Sequence, residues 1–355
     1  LNTIALNHIG EIRSGGGGSK PSPIPQWIRE HVVFYYDVKK QGATNETLKE
    51  SAYLQDLSGK GRRMKLNNFL FAEMSGVGGY NDNFSNWRTD SNNGAVKIES
   101  DSSIVIQSVK IEYRGVLYQD SAKKATLKCN ITGITEELKG KLIFRYTDAE
   151  GSKNITLENG YFELNSSEYE GLSGWYGFTS KQPIDNCNIT ITQIPEYPGA
   201  LVTDGVDDYG LVENLSSGVK MLFMTVNPIG DYNSRKDYYS QIKKYGDDFR
   251  VIAYPNDIAY NHENPNNVTY INGVLNKSIY PEELFDIKHT FTIVNNAVPL
   301  SEDRTCVFFR YNLGGDYYSR IAFYNSIAFD SIPTEADGFT EQELIDYVLT
   351  NIIGQ

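Results

Sequence analysis

The sequence predicts a mostly β protein assembled from antiparallel sandwiches, and three observations predict it. The 355 residues include 25 Tyr, 16 Phe and 31 Gly, a mixture that favours strands joined by tight turns. Short segments alternate apolar and polar side chains with a period of two. Leu127, Cys129 and Ile131 interleave with Lys128, Asn130 and Thr132, and Cys187, Ile189 and Ile191 interleave with Asn186, Asn188 and Thr190, as strands with one buried face require. Turn residues punctuate these segments every eight to twelve positions or so, the spacing of sandwich strands. A chain of this length exceeds one ordinary core, so two or three domains are expected.

Taken in order, the first 14 residues carry Ile4, Leu6, Ile9 and Ile12. A peptide this short cannot bury them alone and is expected to dock on a partner. Residues 15–26 follow, and "SGGGGSKPSPIP", Ser14 to Pro25, with four glycines and three prolines, reads as a hinge. The globular part begins at Trp27. "HVVFYYDV", His31 to Val38, is β-branched and aromatic and reads as a buried strand. "LQDLSGKGRRMKLNNF" offers a turn over Ser58 to Gly61 and a short strand through Met64 and Leu66. The stretch from Tyr80 to Ile194 reads as a β-domain of its own, with Val109, Ile111 and Tyr113 expected on one buried face. "ALVTDGVDDYGLVEN", Ala200 to Asn214, has the character of an opening strand pair and reads as the resumption of the domain begun at Trp27. A closing helix is signalled by the capping box of Thr340 and Glu343, with Leu344, Val348 and Ile352 on one face before Gly354.

"DLSGKG" at Asp56 to Gly61, "TDGVDDYG" at Thr203 to Gly210 and "SRIAFYNSIAF" at Ser319 to Phe329 resemble, in that order, the pattern of laminin-G-like, concanavalin-A-like domains. The longer runs "LQDLSGKGRRMKLNNFLFAEMSGVGGY" and "DNCNITITQIPEYPGALVTDGVDDYG" are similar to fibre or tail-associated proteins of phages and prophages of gut Bacteroidetes, crAss-like phages included. The resemblance covers about residues 27–355. It implies a jelly-roll sandwich, residues 27–79 and 195–355, split by an inserted antiparallel β-sandwich over 80–194. It further implies a virion-surface protein made in a bacterial cytoplasm. Such a protein would join other virion proteins through its N-terminus, form a homo-oligomer (a trimer by analogy with fibres) and adhere to host surface glycans. The alternatives are a structural capsid or tail decoration protein making only protein contacts, and a polysaccharide depolymerase.

Composition narrows the functions further. A formal charge of −12 and an isoelectric point near 4.9 disfavour a nucleic-acid partner, which draws on clustered Lys and Arg. No apolar run reaches bilayer length, so membrane insertion is not expected, and "LNTIALNHIG" lacks the regions of a secretory signal. Cys129, Cys187 and Cys306 are too few and too widely spaced for a disulfide framework or a zinc site. No strand presents three carboxylates; Glu168 and Glu170 form only a pair and read as a solvated face. The histidines, His8, His31, His262 and His289, form no metalloprotease motif, and neither a nucleophile elbow nor a P-loop occurs. An enzyme is therefore not expected, nor a cofactor.

The acidic "TDGVDDYG" reads as a tight turn, with Asp204 and Asp207 accepting from turn N–H groups and Val206 and Tyr209 giving apolar contacts. A calcium site on Asp204, Asp207 and Asp208 is its alternative. Sugar binding calls for aromatic faces beside amides and carboxylates that answer hydroxyls. Candidate contacts of that kind are Tyr232, Asn233, Tyr238, Tyr254, Asn256, Tyr260, Asp316 and Tyr317.

Overall fold

The computed structural model describes residues 22–119, 126–148, 150–165, 176–215, 218–230, 237–244, 247–254, 257–260, 267–276, 286–295, 304–311 and 317–354. The chain is mostly β, with several antiparallel sheets and a β-sandwich character. The described residues fall into two compact units. One holds the residues up to Phe71, Ser75–Gly78 and those from Tyr197 onward; the other holds Ala72–Met74 and Gly79–Glu196. Ile4, Leu6, Ile9 and Ile12, and the paired Glu168 and Glu170, lie outside the described residues.

The first unit contains an eight-stranded and a seven-stranded sheet. At the centre of the larger sheet lies Ile321–Phe329, nine residues of which eight are buried. Met221–Pro228 pairs along its whole length on one side. Two strands share the other side: Val32–Asp37 pairs with Asn325 to Phe329, and Leu201–Val202 pairs with Ala322 and Phe323. The strand of His289–Asn295 continues the sheet beyond Met221–Pro228. Period two then sorts the side chains. Phe34, Tyr36, Leu222, Met224, Phe291, Ile293 and Phe323 turn inward to the core shared with Met64, Leu66, Val212 and Phe308 of the smaller sheet.

The outer face of the larger sheet is covered by helices. Tyr35, Met221, Phe223, Val294, Ile327 and Phe329 pack with Trp27 and Ile28 of the helix Ile24–His31 and with Leu344, Ile345 and Val348 of the helix Glu341–Val348. The expected capping box is formed: Thr340 N donates to Glu343 Oε2 at 2.7 Å, and Glu343 N donates to Thr340 Oγ1 at 3.2 Å. The expected turn of "DLSGKG" is organised by Asp56, whose carboxylate accepts from the backbone N–H of Tyr35, Ser58 and Arg62. Gly59 and Gly61 supply its left-handed residues.

The second unit consists of two five-stranded sheets around a core that includes Trp87, Ile104, Ile106, Leu127, Cys129, Phe144, Phe178, Ile189 and Ile191. Three expectations need correction. The strand of Ile189 and Ile191 is Ile189–Gln193, so Asn186, with a φ of 54°, and Cys187 precede it. The strand through Val109 is Ser103–Val109 and stops there, so Ile111 and Tyr113, 45% and 38% exposed, do not share the buried face of Val109. The end of the expected hinge is helical. Pro23 is the N-cap of Ile24–His31 and Pro25 lies in its first turn, where a missing N–H costs nothing. No disulfide joins Cys129, Cys187 or Cys306.

Candidate functional site

Along three strands of the larger sheet the outward positions change from apolar to polar part-way. In Met221–Pro228 they run Met221, Phe223, then Thr225 and Asn227; in Ile321–Phe329 they run Phe329, Ile327, then Asn325; in His289–Asn295 they run Val294, then Thr292 and Thr290. The closing helix covers the apolar half. Strand register aligns the polar half into one row: Asp37 lies opposite Asn325, Asn325 opposite Thr225, and Thr225 opposite Thr290. Because directly opposed side chains of an antiparallel pair stand on the same face, four polar groups from four strands form a continuous band.

This band lines a cavity of about 310 Å³, at the lower end of the range of small-molecule sites. Lys39, Lys288, Tyr324, Pro198 and Gly199 also border it, together with Leu349, Ile353 and Gly354 from the end of the chain. The row itself is nearly inaccessible, with Asp37 4%, Asn325 3%, Thr225 3% and Thr290 9% exposed.

The hydrogen bonds within the site are unevenly distributed. The two threonine hydroxyls lie 2.9 Å apart, and Asn272 Oδ1 accepts from Thr290 N at 2.9 Å. Asp37 Oδ1 accepts from Lys40 N at 2.8 Å. The Tyr35 hydroxyl lies 3.0 Å from Asp37 Oδ2 and 3.2 Å from the Ile352 carbonyl, to which Lys40 Nζ also donates. Asn325 Oδ1, by contrast, is buried with no hydrogen-bond partner, and so is Asn227 Oδ1 two positions beyond Thr225. A buried amide left unpaired costs about 1–3 kcal/mol, so Asn325 in the cavity wall marks a place that a donor would fill.

The electrostatics are unbalanced as well. Burial raises the Asp37 carboxyl above its ordinary pKa, against the pull of Lys40 N–H, the Tyr35 hydroxyl and the ammonium groups of Lys40 and Lys288. Burial lowers the ammonium pKa of Lys40 and of Lys288; Asp37 opposes this in both, and Lys39 adds to it. One carboxylate thus sits among three lysines. Lys288 Nζ stands 4.1 Å from the centre of the Tyr324 ring, a cation–π contact that holds its stem along the wall.

The acidic turn is a separate arrangement. Asp204 Oδ1 accepts from Val206 N at 2.7 Å and Asp207 N at 3.4 Å, and Gly205 takes the positive φ. Asp208 is fully buried; its carboxylate accepts from Asp204 N at 2.9 Å and from Ser75 Oγ at 3.0 Å. Burial pushes its pKa up to about 7. One carboxylate oxygen of each of Asp204, Asp207 and Asp208 lies within 4.8 Å of the others, close enough for oxygen ligands to share a cation. The backbone bonds already account for Asp204 and Asp208 as turn residues. Val206 is 66% exposed and supplies no buried contact, contrary to expectation. The Tyr209 ring does have a partner, with the Arg310 guanidinium 5.0 Å from its centre.

Of the expected sugar contacts, Tyr232, Asn233, Asn256 and Asp316 lie outside the described residues. Tyr238 and Tyr260 are brought together by the backbone, each paired with Ile252 from opposite sides in the seven-stranded sheet. Tyr254 ends the strand that carries Ile252, opposite Asp257. Tyr317 belongs to a separate two-stranded ribbon, opposite Tyr311. The row of Asp37, Asn325, Thr225 and Thr290 is absent from the expected set. Its signal was the switch of outward positions within "MLFMTVNP", "HTFTIVN" and "IAFYNSIAF", which has meaning only once the strands are aligned. Among the described residues, no helix is long and apolar enough to cross a membrane. A search of protein-family models and of curated proteins finds none that matches this chain.

Proposed function

We propose that this protein is a non-enzymatic, fibre-like component of a phage virion that presents β-sandwich domains to glycans of the host surface. In this reading the first unit is a concanavalin-A-like, laminin-G-like jelly roll, and the second is an antiparallel sandwich inserted between its parts. The N-terminal peptide with Ile4, Leu6, Ile9 and Ile12 fastens the chain to other virion proteins, and sister chains assemble into a fibre, a trimer by analogy. Support for the family reading comes from the ordered motifs "DLSGKG", "DGVDDYG" and "SRIAFYNSIAF".

The observation that carries the binding reading is the buried Asp37, Asn325, Thr225 and Thr290 row in the wall of a small cavity, with an unpartnered amide oxygen on Asn325. Hydroxyl-rich ligands suit such a wall. Each sugar hydroxyl both donates and accepts, so one ring can answer the Asn325 oxygen, the threonine hydroxyls and the Asp37 carboxylate together. Single sites of this kind bind weakly, and several copies on one particle multiply their hold through effective concentration.

The test is retention of the full chain on immobilised host capsular polysaccharide. Binding without release of oligosaccharide is the expected result. Failure to bind any host glycan would favour a decoration protein making only protein contacts, and released oligosaccharide would make it a depolymerase.

A further inference from the structure

The cavity has a second property that a neutral sugar does not use. The chain as a whole carries a formal charge of −12, yet Lys39 and Lys288 both border this cavity and Lys40 lies beside it, with Asp37 the carboxylate set among them. Asp37 is already engaged by Tyr35 and the Lys40 N–H. Lys40 Nζ is engaged by the Ile352 carbonyl. Lys39, Lys40 and Lys288 thus set three cationic groups against the single carboxylate of Asp37, and the Lys288 ammonium, partly drawn out of bulk water, gains from an anionic partner.

Inside the cavity the needs differ. Asn325 Oδ1 calls for a donor, and the Thr225 and Thr290 hydroxyls accept and donate. A ligand answering both regions has hydroxyl groups at one end and a carboxylate at the other, on a body small enough for about 310 Å³. Acetate or another simple carboxylate would satisfy the lysines alone, and a neutral hexose the inner wall alone.

We infer that the cavity is a binding site for an acidic sugar of the hexuronate class, its carboxylate held by Lys39 and Lys288 and its ring hydroxyls by Asn325, Thr225 and Thr290. The inference rests on the sugar-binding reading above and specifies its ligand. The Tyr324 ring contributes through Lys288, whose ammonium it positions.

The test is titration calorimetry of the full chain with glucuronate, glucose and acetate. Glucuronate is expected to bind roughly tenfold more tightly than glucose, an advantage that two ion pairs at the cavity border can supply, and acetate more weakly than either. The double substitution Lys39→Ala, Lys288→Ala, at two exposed positions, is expected to bring the glucuronate-to-glucose ratio close to one. Lys97→Ala, which breaks only the exposed pair with Glu99 in the other unit, is expected to keep the wild-type ratio.

Equal affinity for glucose and glucuronate, or an unchanged ratio in the double variant, overturns the acidic specificity while leaving a sugar site. If neither sugar binds, the cavity is no sugar site and this inference falls. The adhesion reading is then decided separately by retention of the full chain on polysaccharide.

Discussion

Two buried side chains in the first unit are held at an energetic cost, and each gives a measurable consequence. Asn325 is 97% buried by difference from its 3% exposure, with an amide oxygen that has no partner. Replacement by valine, a strand-former that needs no hydrogen bond, is expected to raise unfolding free energy by on the order of 1 kcal/mol while abolishing glucuronate binding. Urea unfolding and calorimetry on the same sample check both halves; a marked loss of stability would show that Asn325 is a structural residue. Asp208 has its pKa raised by burial to about 7 from 3.8. Between those values the folded state holds a proton that the unfolded state has released, so this group's contribution is complete below about pH 4 and is lost as pH rises through 7. Asp208→Asn, which can keep both partners by accepting from Asp204 N and donating to Ser75 Oγ, is expected to flatten that decline and to be the more stable protein at pH 8. The comparison belongs in calcium-free buffer. A stability gain on adding calcium to the wild type, absent from the variant, would instead make the acidic turn a cation site.

At the scale of elements, the closing helix is a lid on apolar strands, and the helical turn that follows it, Leu349–Ile353, borders the cavity. Leu344 is fully buried against the outer sheet face, so Leu344→Ala is expected to cost about 2–5 kcal/mol, whereas Thr340→Ala, which breaks the exposed capping box, is expected to cost about 1 kcal/mol. Thermal or urea unfolding separates the two; equal small effects would mean that the helix is dispensable to the core. This helix was legible in the sequence, because its cap and its Leu344, Val348 and Ile352 spacing are local signals. The buried strand Val32–Asp37 and the turn of "DLSGKG" were legible for the same reason. Ile111 and Tyr113 were misread because alternation alone does not reveal where a strand leaves its sheet. The helix Ile24–His31 was hidden by prolines that suit a first turn as well as a hinge. The polar row was not legible at all, since Asp37, Thr225, Thr290 and Asn325 are as many as 288 positions apart and only strand register makes them neighbours.

At the scale of the whole molecule, the first unit departs from sequence continuity between Gly78 and Tyr197, and its own hydrogen bonds close the gap. Tyr197 N donates to the Gly78 carbonyl and Gly78 N to the Ala200 carbonyl, each at 2.8 Å, and Gly76–Val77 pairs with Leu201–Val202. The ends that a deletion would have to rejoin are therefore already adjacent. A loop's closure entropy grows only with the logarithm of its length, so exchanging a long excursion for a short one does not by itself destabilise the unit. Every residue that lines the cavity lies in this unit. Replacing Gly79–Glu196 by a short Gly-Ser bridge is expected to give a protein that unfolds in one cooperative urea transition. Its slope should be smaller, in proportion to the smaller surface exposed, and its affinity for glucuronate should match that of the full chain. If the bridged protein folds but no longer binds, the second unit shapes the cavity. If it does not fold, the first unit draws its stability from residues outside itself, and a jelly roll interrupted by an independent sandwich is the wrong description of this chain.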